Sequence, residues 1–389
     1  MTSAKEDFGM QRSILWLGMF MSVLFIGGCS LGPQVLKGNR YDYNLSIQKS
    51  NNEELILNIV RARYAESIFF LQVGSISSHF GYSTSIGLSS TLPSGVNQPT
   101  PSPVRPNLGV TFSENPTITY TPMQGEEVVR LLQSDLTLDR FMILTSSGWD
   151  IESIMWLVVD KIGDLKNFEV DMLTGKPREE NYDKYLNLVQ LLNQIQKRGD
   201  LEFVGYYRKE GVVNYLSLQF RFLNHQEADQ VEGLLKVRPD RIAVSNGRII
   251  STIELTSVSD FVGCRQTQGK CSQVPIKLKS FFDILRHLSF YVDIPPDEQA
   301  QQKIVRPFKP MSNDIKHRDG FHKGSIRVKS QWTYPDNAYI AIPYRNRWFY
   351  LADDDVQSKI YFSLVKSIFS LQSGNLQAVV PILTIPVGH

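Results

Sequence analysis

Between Gly74 and Ser90 the chain alternates residue by residue (GSISSHFGYSTSIGLSS). Ile76, Ser78, Phe80, Tyr82, Thr84, Ile86 and Leu88 share one side, and Ser75, Ser77, His79, Gly81, Ser83, Ser85 and Gly87 share the other. Such sorting at period two is the mark of an extended strand, whose side chains point alternately to opposite faces. A connection rich in Pro, Ser and Asn follows (91–108), and then a second strand-like run with Val110, Phe112, Ile118 and Tyr120, interrupted by Glu114 and Pro116. A β-hairpin over 74–121 is therefore expected. Its first strand meets the roughly 9–11 alternating residues of a membrane β-strand. One hairpin cannot close a barrel, although hairpins pooled from several identical subunits could. The interrupted second strand, with Ser78 and Thr84 on the apolar face, favours a long hairpin in a soluble sheet.

The N-terminus has the three parts of an export signal: positive charge at Lys5 and Arg12, a nearly unbroken apolar run from Ile14 to Ile26, and small Gly27 and Gly28 before Cys29. The run is shorter than the roughly 20 residues an untilted membrane helix needs. Ile26-Gly27-Gly28-Cys29 resembles the bacterial lipobox. That resemblance implies a diacylglyceryl group on the Cys29 sulfur, cleavage after Gly28 and acylation of the new amino group. Several acyl chains on one residue would hold the protein stably. Ser30, where an Asp would resemble the retention signal of enteric bacteria, points to the outer membrane.

A hydrophobic share of 42% and a net charge of +2 support a folded body and give no whole-chain argument for nucleic acid. Of the three cysteines, Cys264 and Cys271 remain once Cys29 is lipidated. In an oxidising periplasm they read as a disulfide closing a small polar loop. No neighbouring His or second Cys pair gives them a metal-site spacing.

The rest of the chain predicts an α+β fold: a helical N-terminal half with the long β-hairpin, then a mixed α+β C-terminal half. The expected divisions are a signal peptide (1–28), a lipidated tether (29–48), a helical domain carrying the hairpin (49–200), an α+β domain (201–300), and an α+β domain with a terminal helix and strand (301–389). Ser50-x-x-Glu53 reads as a capping box opening a helix that ends near Tyr64. Further helices are expected over 125–134, 150–162, 181–197, 225–236, 278–292 and 355–371, the last with Val356, Ile360, Leu364, Ile368 and Leu371 inward. Strands are expected over 201–208, 212–222, 241–245, 248–255, 325–331, 338–343, 347–351 and 378–387. Asn246-Gly247 and Arg345-Asn346 sit at hairpin turns.

Few constellations carry chemistry. Asp353, Asp354 and Asp355 lack the alternating spacing of calcium ligands and read as a helix cap with favourable charge. The basic stretch 303–329 (Lys303, Arg306, Lys309, Lys316, Arg318, Lys323, Arg327 and Lys329, with His317 and His322) could meet phosphate head groups or glycan, and reads more simply as a solvated loop. Glu53 and Glu54, and Glu126 and Glu127, are adjacent pairs expected to cap and solubilise. No nucleophile elbow, phosphate-cradling Gly loop or Cys–His pair is present in the sequence, so no catalytic residue, metal ligand or cofactor site is assigned.

Four segments together resemble a family of uncharacterised proteobacterial outer-membrane lipoproteins: 54–64 (ELILNIVRARY), 116–127 (PTITYTPMQGEE), 338–359 (AYIAIPYRNRWFYLADDDVQSK) and 381–388 (PILTIPVG). The resemblance implies an exported lipoprotein and brings no established activity. The expectation is a lipid-anchored, periplasm-facing protein of the outer membrane that binds or scaffolds, meeting the membrane through its lipid and either an envelope protein or further copies of itself. The alternatives are a subunit of an oligomeric pore or export complex using the 74–121 hairpin, and an envelope glycan or lipid hydrolase.

Overall fold

The computed structural model describes residues 31–89, 105–123, 125–170, 177–178, 181–207, 213–261, 271–300, 326–373 and 383–386. The fold is α+β. It divides into two units, Met1–Glu54 and Leu55–His389. In the first, helix α1 (Leu31–Arg63) runs through the described residues and continues past the unit's end. The stretch expected as a tether is thus helical from Leu31, with Pro33 in the first turn, where a missing N–H costs nothing. Ser50 lies inside this helix, so Ser50 and Glu53 are not a capping box; Glu53 instead pairs with Lys49 at 3.9 Å, one turn back.

The second unit holds one continuous apolar core, from Leu55 to Ile368. After α1 come the hairpin strands β1 (Leu71–Ser89) and β2 (Arg105–Pro122), then helices α2 (Glu126–Gln133), α3 (Leu138–Ser146) and α4 (Ile151–Val158). Asp150 caps α4 by accepting from the Ser153 N–H at 2.8 Å. The helix was expected to reach 162; it stops at Val158, and β3 (Val159–Ile162) follows without a loop. Buried Asn167 explains the stop. Its Nδ2 donates to the Met155, Trp156 and Val159 carbonyls at 3.2, 2.8 and 2.6 Å, and Lys279 Nζ donates to the Trp156 carbonyl at 3.3 Å. The end carbonyls are satisfied, which leaves β-branched Val158 and Val159 free to turn into strand.

Strand β4 (Leu165–Lys166), the small pair β5 (Glu169–Val170) and β6 (Pro177–Arg178), helix α5 (Tyr182–Lys197), β7 (Leu201–Tyr207), β8 (Val213–Phe222), helix α6 (His225–Leu235), β9 (Arg241–Ala243), β10 (Ile249–Ser257) and β11 (Gln273–Leu278) follow. Apart from β5 and β6, these strands join β3 in one sheet of order β4-β3-β11-β10-β8-β7, with β9 also on β10. The sheet takes strands from both sides of position 200, and α3 to α6 pack against it. Asn246 and Gly247 adopt positive φ (71° and 74°) at the turn before β10, as their sequence predicts. Gly205 allows α3 to lie close on β7, since a Cβ there would come within 2.1 Å of Met142 Sδ.

Helices α7 (Phe281–Ser289) and α8 (Pro296–Ala300) precede a second sheet of order β12-β14-β13, built from β12 (Lys329–Gln331), β13 (Ala338–Tyr344) and β14 (Arg347–Ala352). Arg345 and Asn346 turn at φ 47° and 62°. Helix α9 (Val356–Ser373) is capped by Asp355, which accepts from the Ser358 N–H at 3.0 Å. Strand β15 (Leu383–Pro386) closes the described chain on the edge of β2. Val356 and Ile360 were expected inward on α9 but are 58% and 38% exposed, whereas Leu364 and Ile368 are buried. Residues spaced by four drift about 40° per step around a helix, so a stripe aligned at Leu364 has left the core by Val356.

His287 lies on the buried face of α7, 4.4 Å from the Trp156 ring and 5.8 Å from that of Tyr291, and its Nε2 has no hydrogen-bond partner. Burial, helped by the Lys279 charge, holds its pKa well below the usual 6.5. The folded protein keeps the imidazole neutral, while the unfolded chain takes up a proton below pH 6.5. This contribution to stability is full above pH 6.5 and is lost as pH falls below it, by at most about 1.4 kcal/mol per pH unit. Urea unfolding across this range should give a shallower pH slope for His287→Gln than for the native protein. Parallel slopes would contradict the buried neutral state.

Candidate functional site

The β1–β2 hairpin is continuous and antiparallel from Leu71↔Pro122 to Ser89↔Arg105, with one irregularity between Val73 and Ser75. The second strand was expected to break at Glu114 and Pro116. It does not: Phe80 faces Glu114 and Ser78 faces Pro116 in unbroken register. Strand β15 pairs with β2 only over Thr117–Tyr120, so Pro116, which has no N–H to give, lies just beyond the three-stranded part.

The register has a chemical consequence. Directly opposed residues share a face. Tyr82 opposes Phe112, Thr84 opposes Val110, Ile86 opposes Leu108 and Leu88 opposes Pro106. On the other face Gly81 opposes Ser113, Ser83 opposes Thr111, Ser85 opposes Gly109 and Gly87 opposes Asn107. From Tyr82↔Phe112 to Leu88↔Pro106 the alternation of the first strand is matched by the second, whereas nearer the base Glu114 lies opposite Phe80 on the apolar face. From His79↔Asn115 to Ser89↔Arg105 no third strand pairs with either edge among the described residues. This two-stranded part is roughly 35 Å long at about 3.3 Å per residue.

The root of the hairpin is locked to the core. Asn58, fully buried on α1, donates from Nδ2 to the Phe69 carbonyl at 2.7 Å and accepts from the Phe69 N–H at 3.0 Å. Met123 N–H donates to the Phe70 carbonyl at 2.9 Å, which ties the exit of β2 to the entry of β1. The Phe70 ring stacks on Phe369 of α9 at 4.7 Å and contacts Phe281 of α7 at 6.1 Å.

The short segment between α1 and β1 is clamped from outside. Glu66 accepts from the Tyr344 hydroxyl and from Arg345 Nη2, the latter at 2.7 Å. These two partners hold the Glu66 carboxyl below its ordinary range. The Arg345 guanidinium lies 4.3 Å from the centre of the Tyr64 ring. Tyr64 donates to Glu298 of α8, and burial followed by that bond pushes its hydroxyl pKa up. Arg347 binds Asp297 at 3.0 Å and lies 3.5 Å from the centre of the Trp332 ring. Beside them Arg63 is buried, with Nε and Nη1 lacking hydrogen-bond partners and its charge 5.5 Å from the centre of the Phe290 ring; burial lowers its pKa to about 10.

All four segments that carry the family resemblance meet here. The first supplies Asn58 and Tyr64, the second the base of β2 and Met123, the third Tyr344 and Arg345, and the last β15. Sequence reasoning missed Asn58, Glu66 and Glu298 as a group. The available signal was a lone Asn inside the apolar stripe of Leu55, Ile56, Ile59 and Val60.

The sequence-predicted site residues lie elsewhere. Cys29, Cys264, His317 and His322 lie outside the described residues, as does the basic stretch up to Lys323. Cys271 forms an isolated bridge with Arg238 before β11. Of the three aspartates, Asp355 caps α9 and Asp353 binds Lys359 at 2.8 Å. Among the described residues no group of three or more His, Cys, Asp or Glu is placed to hold a metal ion. Comparison of the chain with family models, curated proteins and solved structures yields no match.

Asn58→Ala would leave two part-buried backbone groups of Phe69 without their partner. The expected loss is about 2–4 kcal/mol, read as a lower urea midpoint, with faster limited proteolysis in 64–70. An unchanged midpoint would show that the root does not depend on this pair.

Proposed function

We propose that this chain is an outer-membrane lipoprotein, held by acylated Cys29 with its body facing the periplasm, and that its hairpin joins those of other copies in a membrane-embedded sheet. It would serve as a subunit of a pore or export assembly. The binding or scaffolding role that the sequence analysis put first is the alternative to this reading, and no catalysis is assigned to either.

The observation that carries the proposal is the unbroken register that, from Tyr82↔Phe112 to Leu88↔Pro106, sets a mainly apolar face against a small, polar one. This removes the break in β2, one of the two features that favoured a soluble sheet; Ser78, Thr84 and Glu114 remain on the apolar face. A two-stranded ribbon is marginal on its own in water, and its open edges invite pairing. In lipid, each unpaired backbone group would cost several kcal/mol, so only a closed ring of strands is tolerated. Neighbouring copies of the same hairpin supply that closure. The apolar face would meet lipid, and the Ser, Gly and Asn face would line the lumen. Among the described residues no helix is long and apolar enough to cross a membrane. A Cys264–Cys271 disulfide belongs to the same reading, supported by the disulfide-bonded state of Cys271 and by the oxidising compartment proposed.

The test uses full-length protein extracted from membranes in mild detergent. Expected are ring-shaped multimers by electron microscopy and mass photometry, and an intact mass that begins at Cys29 with added acyl chains. Replacing 79–115 by a short Gly-Ser turn should give monomers whose body melts as before. Monomers from the native chain would overturn the assembly, and a mature mass without lipid would overturn the anchor.

A further inference from the structure

A groove of about 570 Å³ opens between α9 and the segment formed by the end of α3 and the following turn. Its volume falls within the roughly 300–1,000 Å³ of small-molecule sites. The floor is apolar: Leu144 is buried, and Leu371 and Trp149 are half-buried. The α9 side is polar, because Ser363, Lys366, Ser367 and Ser370 recur every three or four residues and so share one helix face.

Charge is distributed unevenly in this groove. Lys366 is the one charged residue of the lining, and no ion pair or hydrogen bond from its ammonium is present among the described residues. It is half-buried, and that desolvation, with no carboxylate to offset it, lowers its pKa. Two hydroxyls of the lining are committed to helix carbonyls: Ser367 donates to the Ser363 carbonyl at 3.1 Å, and Ser147, just past the end of α3, donates to that of Ile143. The hydroxyls of Ser363 and Ser370 make no hydrogen bond among the described residues and are exposed to the groove. One ammonium and two uncommitted hydroxyls therefore stand along an apolar floor with an indole at its edge.

We propose that this groove binds a small amphiphilic anion, whose carboxylate or phosphate oxygens are taken by Lys366 and by one of the Ser363 and Ser370 hydroxyls, which stand about one turn to either side of it, and whose apolar body lies over Leu144, Leu371 and Trp149. A partly desolvated ammonium gains most from an anionic oxygen acceptor, since charge-assisted hydrogen bonds are about twice as strong as neutral ones. The lining offers no carboxylate to a cation and too few polar groups to cover a fully hydrophilic ligand. This site lies apart from the hairpin and its root, and does not depend on the membrane assembly proposed above.

The test is calorimetric titration of the full chain with benzyl phosphate, 4-phenylbutyrate and uncharged 4-phenylbutanol. These probes carry the proposed body without forming micelles. The two anions should bind and the alcohol should bind about tenfold more weakly or not at all. Lys366→Met should weaken the anions by about tenfold or more while leaving the alcohol and the melting temperature unchanged. Ser367→Leu, which fills the groove, should abolish binding of all three. Competition by phosphatidylglycerol nanodiscs against benzyl phosphate would identify a lipid headgroup as the natural carrier, and lack of competition a free anion. Equal binding of alcohol and anions, anion binding untouched by Lys366→Met, or no binding of any probe would overturn the proposal.

Discussion

A single buried asparagine sets where the hairpin leaves the body. Asn58 mimics a strand partner for Phe69, giving one hydrogen bond and taking one, at a point where α1 has ended and β1 has not begun. Such a junction leaves backbone groups that neither helix nor sheet can satisfy. Here they are part-buried and paired with an asparagine that is itself fully buried, so water cannot freely replace the pairing. Phe70, the next residue, fills the space between α7 and α9. The hairpin is therefore aimed by the core and not by a loop. The outer clamp of Glu66, Tyr344 and Arg345 is half-exposed and adds mainly direction, since ion pairs in contact with water contribute little.

From that root the hairpin runs beyond the reach of β15. Its base is sheet-like, with Thr119 and Thr121 buried and β15 on one edge. Among the described residues its distal part has two strands and two unpaired edges, with faces of opposite character from Tyr82↔Phe112 outward. A soluble protein blunts long edges with charge, bulges or covering elements. In β1 and β2 the one irregularity sits near the base, between Val73 and Ser75, and the chain beyond it stays regular. That regularity is what the proposed pairing with further copies would use.

Much of the fold was legible because periodicity and turn chemistry act locally. The alternation at 74–90, the Asn246-Gly247 and Arg345-Asn346 turns and the Asp355 cap all appear where residue type alone demands them. What was missed depends on tertiary partners. Strand β11 contains Pro275, a residue that argues against a strand, yet it pairs in parallel with β10 and its Pro275 carbonyl accepts from the Gly163 N–H at 2.8 Å. Helix α3 is a short apolar run whose pattern does not separate helix from buried strand. The early end of α4 depends on Asn167, a residue of the loop that follows β4. The hairpin root was illegible for a further reason: Glu298 and Arg345 lie more than 200 residues from Asn58 and Glu66 in the chain, and only packing gives them a shared purpose.

The account stands or falls on whether the two faces of the distal hairpin see different media. Single cysteines placed in turn from Tyr82 to Leu88 in a Cys264→Ser, Cys271→Ser background, labelled with an environment-sensitive fluorophore in native membranes, measure this directly. Positions 82, 84, 86 and 88 should report lipid, with quenching by spin-labelled acyl chains, while 83, 85 and 87 should report water, in strict alternation. A uniform aqueous signal along the run would contradict the account.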